Sequence, residues 1–435
     1  MPSVLNPPEP PDPVPEGFVG GPAFGAMPID LDENRFVATM EEQAAIGSAG
    51  ERALDRVALT EADREVRDWF VEQLEALDLS VRIDEMGNIF GRRAGTDPDA
   101  APVLVGSHLD SQPNGGIYDG ALGVVAALEL LRTLEDTGVQ TTHPIEIVNW
   151  TNEEGTRFQP AMLSSGVWAG VHDRDEIYDH TDSEGVRFED ALTGIGYKGD
   201  APAEPAEPYE AYLELHVEQG PYLEANNVQV GVVTGIVGLS WGSVTFTGEA
   251  DHAGPTPMSG RQDPMVAAAD LVTAIRRTPG MLGERTVATS GSISAEPNSI
   301  NIIPERVTVT WDTRDRDDSV IDEATEHIER EAAAAAEREG VGCEVERRMR
   351  SRPTAFAERC VEAVEAAAED RDYDGMRLQS GAGHDAAHVA QVCDTGMVFA
   401  VSEGGKSHSP AEFTTWDDCY ASANTLANAA LRIAK

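Results

Sequence analysis

The short apolar run Val103-Leu-Val-Gly-Ser reads as a buried strand, a helix is predicted near Gly120 to Leu134, and a second strand runs from Ile145 to Trp150. Strands alternating with helices of that length restrict the chain to an α/β layered domain. Upstream, Thr60 is placed to cap a helix that puts Val66, Trp69, Phe70 and Leu74 on one stripe. Strand-like segments follow at Ser80 to Asp84 and Ile89 to Arg92. Residues 198–208, rich in Pro, Ala and Glu, read as a surface loop, and a strand containing Leu213, Leu215 and Val217 resumes the domain.

From about residue 236 the rhythm changes to strand (243–247), helix (264–277), strand (286–293), strand (306–312), helix (319–338) and strand (343–347). That β-α-β-β-α-β order is a compact split βαβ unit. It reads as an insertion, because 356–435 returns to helix, helix, strand (397–401) and helix (418–433). The expected division is a flexible Pro-rich leader over 1–18, a main domain over 19–235 and 351–435, and an inserted domain over 236–350.

Charge narrows the partners. The 435 residues carry 32 Lys and Arg against 77 Asp and Glu, a net charge of −45. Binding to nucleic acid rests on phosphate neutralisation, so it is excluded as an expectation. Lys occurs only at 198, 406 and 435. Such a surface repels itself in dilute buffer and is screened in molar salt, which points to a salt-loving cytoplasm. No apolar stretch is long enough for a membrane span, and the N-terminus lacks the basic and apolar regions of a secretory signal, so a cytoplasmic location is expected. The four cysteines, Cys343, Cys360, Cys393 and Cys419, contain no Cys-x-x-Cys pair and form neither a disulfide framework nor a thiolate zinc site on this reading.

Polar residues gather where the predicted strands end. His108 follows the buried run, and Asp119 lies beyond a Gly-rich turn. Glu153 and Glu154 follow the Ile145 strand, His216 ends the strand after the loop, and His408 follows the last strand. Three imidazoles and two or three carboxylates at strand ends are the ligand types of a two-metal hydrolytic site. Of the adjacent Glu153 and Glu154, one can bind a metal while the other stays free as a base.

These residues sit in motifs that resemble a known family. Gly-Ser-His108-Leu-Asp110-Ser, Asn-Gly-Gly-Ile-Tyr-Asp119-Gly, Asn-Glu153-Glu154-Gly-Thr-Arg-Phe, Glu-Leu-His216-Val-Glu-Gln219-Gly-Pro, Asp-His252-Ala-Gly-Pro, Pro-Asn298-Ser-Ile-Asn301, Asp312-Thr-Arg314, Gly-Ala-Gly-His384-Asp385 and Ser-His408-Ser-Pro-Ala-Glu are similar to those of the hydantoinase/carbamoylase type of metal-dependent amidohydrolase. The resemblance, over roughly residues 60–430, implies a zinc-peptidase-like catalytic domain with an inserted lid and dimerisation domain, and a homodimer formed through that lid. It implies hydrolysis of the C–N bond of an N-carbamoyl (ureido) group on a small carboxylate, N-carbamoyl-L-amino acids before allantoate or ureidopropionate. A related metallo-peptidase acting on dipeptides is the further alternative.

The same resemblance makes His108, Asp119 and His216 ligands of one divalent ion. Asp119 then bridges to a second ion held by Glu154 and His408, zinc being the first choice and manganese the second. Glu153 becomes the general base, His252 reaches the neighbouring subunit's site to stabilise an oxyanion, and Gln219, Asn301 and Arg314 hold the substrate's carboxylate and amide. His384 is placed near the site without being a ligand. Two other spellings carry no chemistry on this reading. Gly238-Leu-Ser240-Trp-Gly242 is followed by a strand where a nucleophile elbow needs a helix, and His384-Asp-Ala-Ala-His388 lacks the Glu of a helix-borne zinc site.

Overall fold

In the computed structural model, which describes residues 28–283 and 285–435, a nine-stranded mixed sheet forms the centre of the larger unit. The Pro-rich leader read over 1–18 lies outside the described residues. The sheet order is Thr354–Ala355, Val230–Ile236, Thr395–Ala400, Ala211–Val217, Val103–His108, Ile145–Trp150, Ile89–Arg93 and Ser80–Ile83, with Gly375–Ser380 paired to Val230–Ile236. Four of these strands, 395–400, 211–217, 103–108 and 145–150, run parallel to one another. Every residue in the four is buried, so both sheet faces are covered. Helices Ala121–Thr137, Glu358–Glu369 and Trp416–Ala434 pack on one another as one of the covering layers.

Local signals explain the peripheral elements. The Thr60 side chain accepts from the Asp63 amide at 3.4 Å and starts helix Glu61–Glu75, which buries Val66, Trp69, Phe70 and Leu74. At the other end of the described chain, the Ile29 amide donates to the Asn428 side chain at 2.9 Å, tying the entry segment to the last helix.

Residues 238–351 build a second sheet of five strands, backed by helices Pro264–Arg277 and Asp318–Glu339. Strand Arg306–Asp315 alternates between buried and accessible residues, so only one of its faces is covered. That face contributes Val309 and Trp311 to an apolar cluster with Phe246, Leu271 and Ile328, separate from the larger core. The two connections to the larger unit run side by side, Thr354 pairing with Ile236 and Ala355 with Gly235.

Two expectations need correction. The strand expected over 286–293 is two short strands, Val287–Thr289 and Ile293–Glu296, both on Arg306–Asp315. Ser290-Gly-Ser interrupts them: the Ser292 amide turns to the Thr310 hydroxyl at 2.9 Å instead of continuing a regular ladder. Between the helices after residue 356 lies an additional strand, Gly375–Ser380, parallel to Val230–Ile236. It is partly accessible and carries Arg377 and Gln379, so it has no apolar run to announce it. Among the described residues no helix is long and apolar enough to cross a membrane.

Candidate metal centre

The four parallel strands finish at one edge of the sheet, where α/β folds place their ligands. His108 is the last residue of its strand and His216 the last but one of its own. Glu153 and Glu154 lie just beyond Trp150, and His408 lies in the loop after Ala400. Asp119 arrives from the loop that leads into helix Ala121–Thr137. Gly120 makes that approach possible: its φ is +65°, and a Cβ there would stand 2.3 Å from His108 Nε2.

Two groups of donors result. In the first, His216 Nε2 is 2.9 Å and His108 Nε2 3.6 Å from Asp119 Oδ1. In the second, His408 Nε2 is 3.4 Å from both Asp119 Oδ2 and Glu154 Oε2. A tetrahedral ion with bonds of about 2.0–2.1 Å needs donors about 3.3 Å apart, which these separations bracket. Glu153 belongs to neither group, although its Oε2 lies 3.5 Å from His108 Nε2.

The imidazole tautomers make the fit chemical as well as geometric. His108 Nδ1 contacts the Asp110 carbonyl at 2.9 Å and His216 Nδ1 the Val217 carbonyl at 3.0 Å. With the ring proton on Nδ1, each Nε2 would be free to offer its lone pair to a cation lying beside the Asp119 carboxylate. His108 Nε2 is buried and has no hydrogen-bond partner. The ion pairs made by Asp119, Glu153 and Glu154 among the described residues are all with imidazoles. Imidazole nitrogens and carboxylates that converge without Lys or Arg form a site whose donor set suits a divalent cation.

Electrostatics in the metal-free protein follow from that crowding. Burial pushes the Glu153 carboxyl well above the ordinary range, with Asp385, Glu154 and Asp119 adding to the rise and His108 opposing it. Burial also raises Glu154, to about 7. Burial alone would raise Asp119 and depress His108, but the surrounding imidazoles hold Asp119 well below its usual value and the carboxylates hold His108 well above its own. The contact with Asp119 lifts His408 to about 9.

A ligating imidazole is neutral, so a cation entering the second group displaces the His408 proton. Apparent metal affinity is therefore expected to rise with pH up to about 9, and protons released near pH 8 should fall away above that value. Calorimetric titration in buffers of different ionisation heat measures this release. A binding heat independent of buffer at pH 8 would refute it.

Neighbouring groups fix the donors in place. The Asp110 carboxylate accepts from the amides of Glu153 at 3.2 Å and Glu154 at 3.3 Å. Gln112 binds both Glu154 oxygens, through its amide at 3.0 Å and its side chain at 2.8 Å. His384 lies over His216, with ring centroids 4.4 Å apart, and bonds to Ser380.

The sequence profile of the peptidase family M20/M25/M40 matches residues 104–432. The chain belongs to this family. An N-carbamoyl-L-amino-acid amidohydrolase of Rhizobium meliloti is 43% identical to it, over 93% of this chain and 97% of the relative. The allantoate amidohydrolase of Escherichia coli is 33% identical, over 83% and 89%. A crystal structure of an amidase of the hydantoinase/carbamoylase family from Burkholderia multivorans superposes with a TM-score of 0.87 at 43% identity, covering 93% of this chain and 98% of that one.

For this M20/M25/M40 member, the remaining motif residues divide into two sets. Gln219 stands at the centre: its side-chain nitrogen is 2.9 Å from Asp119 Oδ2 and 3.3 Å from His408 Nε2. His252 and Asn301 are neighbours on the second unit, where strands Asp251–His252 and Ile302–Ile303 pair and the Ala253 amide donates to the Asn301 carbonyl. Both are exposed, and among the described residues no hydrogen bond or ion pair joins them to the ligand groups. Arg314 forks onto Asp312 and donates to the Gly381 carbonyl at 2.8 Å, spanning the two units. Gln112, Ser407 and Glu412 have one signal in the sequence, a place inside or next to the motifs that carry the donors. In the nucleophile-elbow spelling, Ser240 lies within strand Gly238–Thr247. His388 packs on His172, away from His384's partner His216.

Proposed function

We propose that the chain is a two-cation amidohydrolase that cleaves the C–N bond of an N-carbamoyl group on a small carboxylate, N-carbamoyl-L-amino acids first, releasing ammonia and carbon dioxide. The observation that carries this reading is the meeting of two donor groups on the shared Asp119 carboxylate, with Glu153 beside them and outside both. His108, Asp119 and His216 would hold one ion, and Asp119, Glu154 and His408 the other. Imidazole and carboxylate donors favour zinc, with manganese second. When bound, the cations lower the pKa of the attacking water and polarise the ureido carbonyl.

The chain's own residues do the rest. Glu153 takes a proton from water and passes it to the departing nitrogen, a task suited to a carboxyl whose proton affinity burial has raised. Asp110 holds the successive backbone amides of Glu153 and Glu154, so the base and the adjacent ligand keep different directions. Gln219 presents its amide beside the centre to the substrate's polar groups, and Asn301 adds a second amide. Arg314 exchanges Asp312 for the substrate carboxylate, which its planar fork binds bidentately. His252 serves the site of a second copy, in a homodimer formed through residues 236–350. Exposed Ile300, Met258 and Ile293 on that unit support an interface there. The net charge of −45 supports work in a salt-rich cytoplasm.

The test is ammonia release by the metal-loaded protein in molar KCl from N-carbamoyl-L-amino acids, ureidopropionate and allantoate, with a dipeptide followed by amine release. N-carbamoyl-L-amino acids are expected to turn over fastest. Preference for allantoate, the second reading supported by the Escherichia coli relative, would move the substrate but keep the chemistry. Dipeptide cleavage with silence on all ureides would overturn the proposal.

A further inference from the structure

We infer that Glu412 is a positioning residue that ties the loop carrying Asp119 to the loop carrying His408, and so governs how firmly the second group of donors closes on its cation. The inference rests on the two-cation reading above.

Glu412 is fully buried, yet every partner of its carboxylate belongs to one of those two loops. One oxygen accepts from the amides of Tyr118 at 3.2 Å and Asp119 at 3.1 Å. The other accepts from the Ser407 hydroxyl at 2.8 Å. Ser407 immediately precedes His408 and also stands 3.0 Å from Asp119 Oδ2. The shared residue is therefore held through its backbone amide by Glu412, while its side chain and Glu412 compete for the single hydroxyl proton of Ser407 between them.

Two further observations point the same way. The Tyr118 ring packs edge-on against Phe413 and Trp416, on either side of the stretch that follows Glu412, so the clasp has an apolar half as well as a polar one. The Asp119 loop also makes room for the carboxylate: a Cβ on Gly116 would lie 2.0 Å from Glu412 Oε1. Any side chain at Gly116 must displace Glu412.

The strut matters more to one donor group than to the other. His108 and His216 sit on buried central strands and need no help from Glu412. His408 is half exposed, sits in a loop at φ +53° and has no strand to hold it, so its position depends on the anchored Ser407 beside it. Asp119 serves both groups, so losing the strut loosens one donor of the first group but two of the second, and should weaken the second more; a general loosening would weaken both alike.

The experiment is calorimetric titration of the full chain with zinc chloride, giving the number of ions and both dissociation constants. In Glu412→Ala and Gly116→Ala one of the two constants, that of the second group, should rise about 10–100-fold, the range for loss of a ligand-supporting partner, while the other moves by about threefold or less. Glu412→Gln keeps an acceptor for the two amides and can donate to Ser407, so it should restore near wild-type values. If Glu412→Ala does not fold, Ser407→Ala and Gly116→Ala carry the same test. Unchanged constants, or an equal rise in both, would overturn the inference while leaving the two-cation reading intact. A wild-type protein that binds fewer than two ions would overturn that reading and this inference with it.

Discussion

Glu153→Gln is expected to lower kcat by about 10²–10⁴-fold, the usual contribution of a positioned proton-transfer group. The substitution keeps size and shape and removes the ability to take a proton. Glu153 belongs to neither donor group, so the variant should still bind two ions. Its carboxylate stands 3.5 Å from His108 Nε2, close enough to serve the same reacting centre. Ammonia release and metal content measured on one preparation test this together. Activity within tenfold of wild type would remove Glu153 from the chemistry, and loss of an ion would make it a ligand.

Asp119→Ala should produce the other large effect, through metal content. One of its oxygens faces His108 and His216 and the other faces His408, so a single truncation opens both groups. Affinity at each is expected to fall by at least about 10²-fold, the upper end of what losing even a supporting partner costs. Turnover should drop to background after dialysis. A dialysed variant that retains two ions would show that Asp119 does not bridge. The contrast with Glu153→Gln is diagnostic, because one variant keeps its metal without activity and the other loses both.

Much of this arrangement was legible in the sequence, for physical reasons. The central strands announce themselves because burial on both faces demands unbroken apolar runs such as Val103–Val105. The Thr60 cap and the Pro264 helix start are local signals that tertiary packing had no cause to override. Strand Gly375–Ser380 stayed hidden because an accessible strand at the sheet margin needs no apolar pattern. The break at Ser290–Ser292 depends on Thr310, a residue about twenty positions away that no local window contains. The same distinction holds at the site. Ligand types at strand ends could be read from spacing, whereas Glu412 could not, since its role exists only once Tyr118, Asp119 and Ser407 surround it. The part given to His252 is likewise out of reach of local pattern, since no hydrogen bond or ion pair among the described residues joins it to the donor groups.

The donor groups also bear on thermodynamic linkage. His108 and His408 are three hundred positions apart in the chain, and Asp119, the donor nearest to His108 in sequence, is eleven away. An unfolded chain therefore offers no ready-made chelate, and the free energy of ion binding accrues almost wholly to the native state. At one hundred times the dissociation constant, one such ion adds about 2.7 kcal/mol to folding stability. The melting temperature of this protein is then a function of free metal concentration as much as of sequence, and a chelator acts as a denaturant that touches no peptide group.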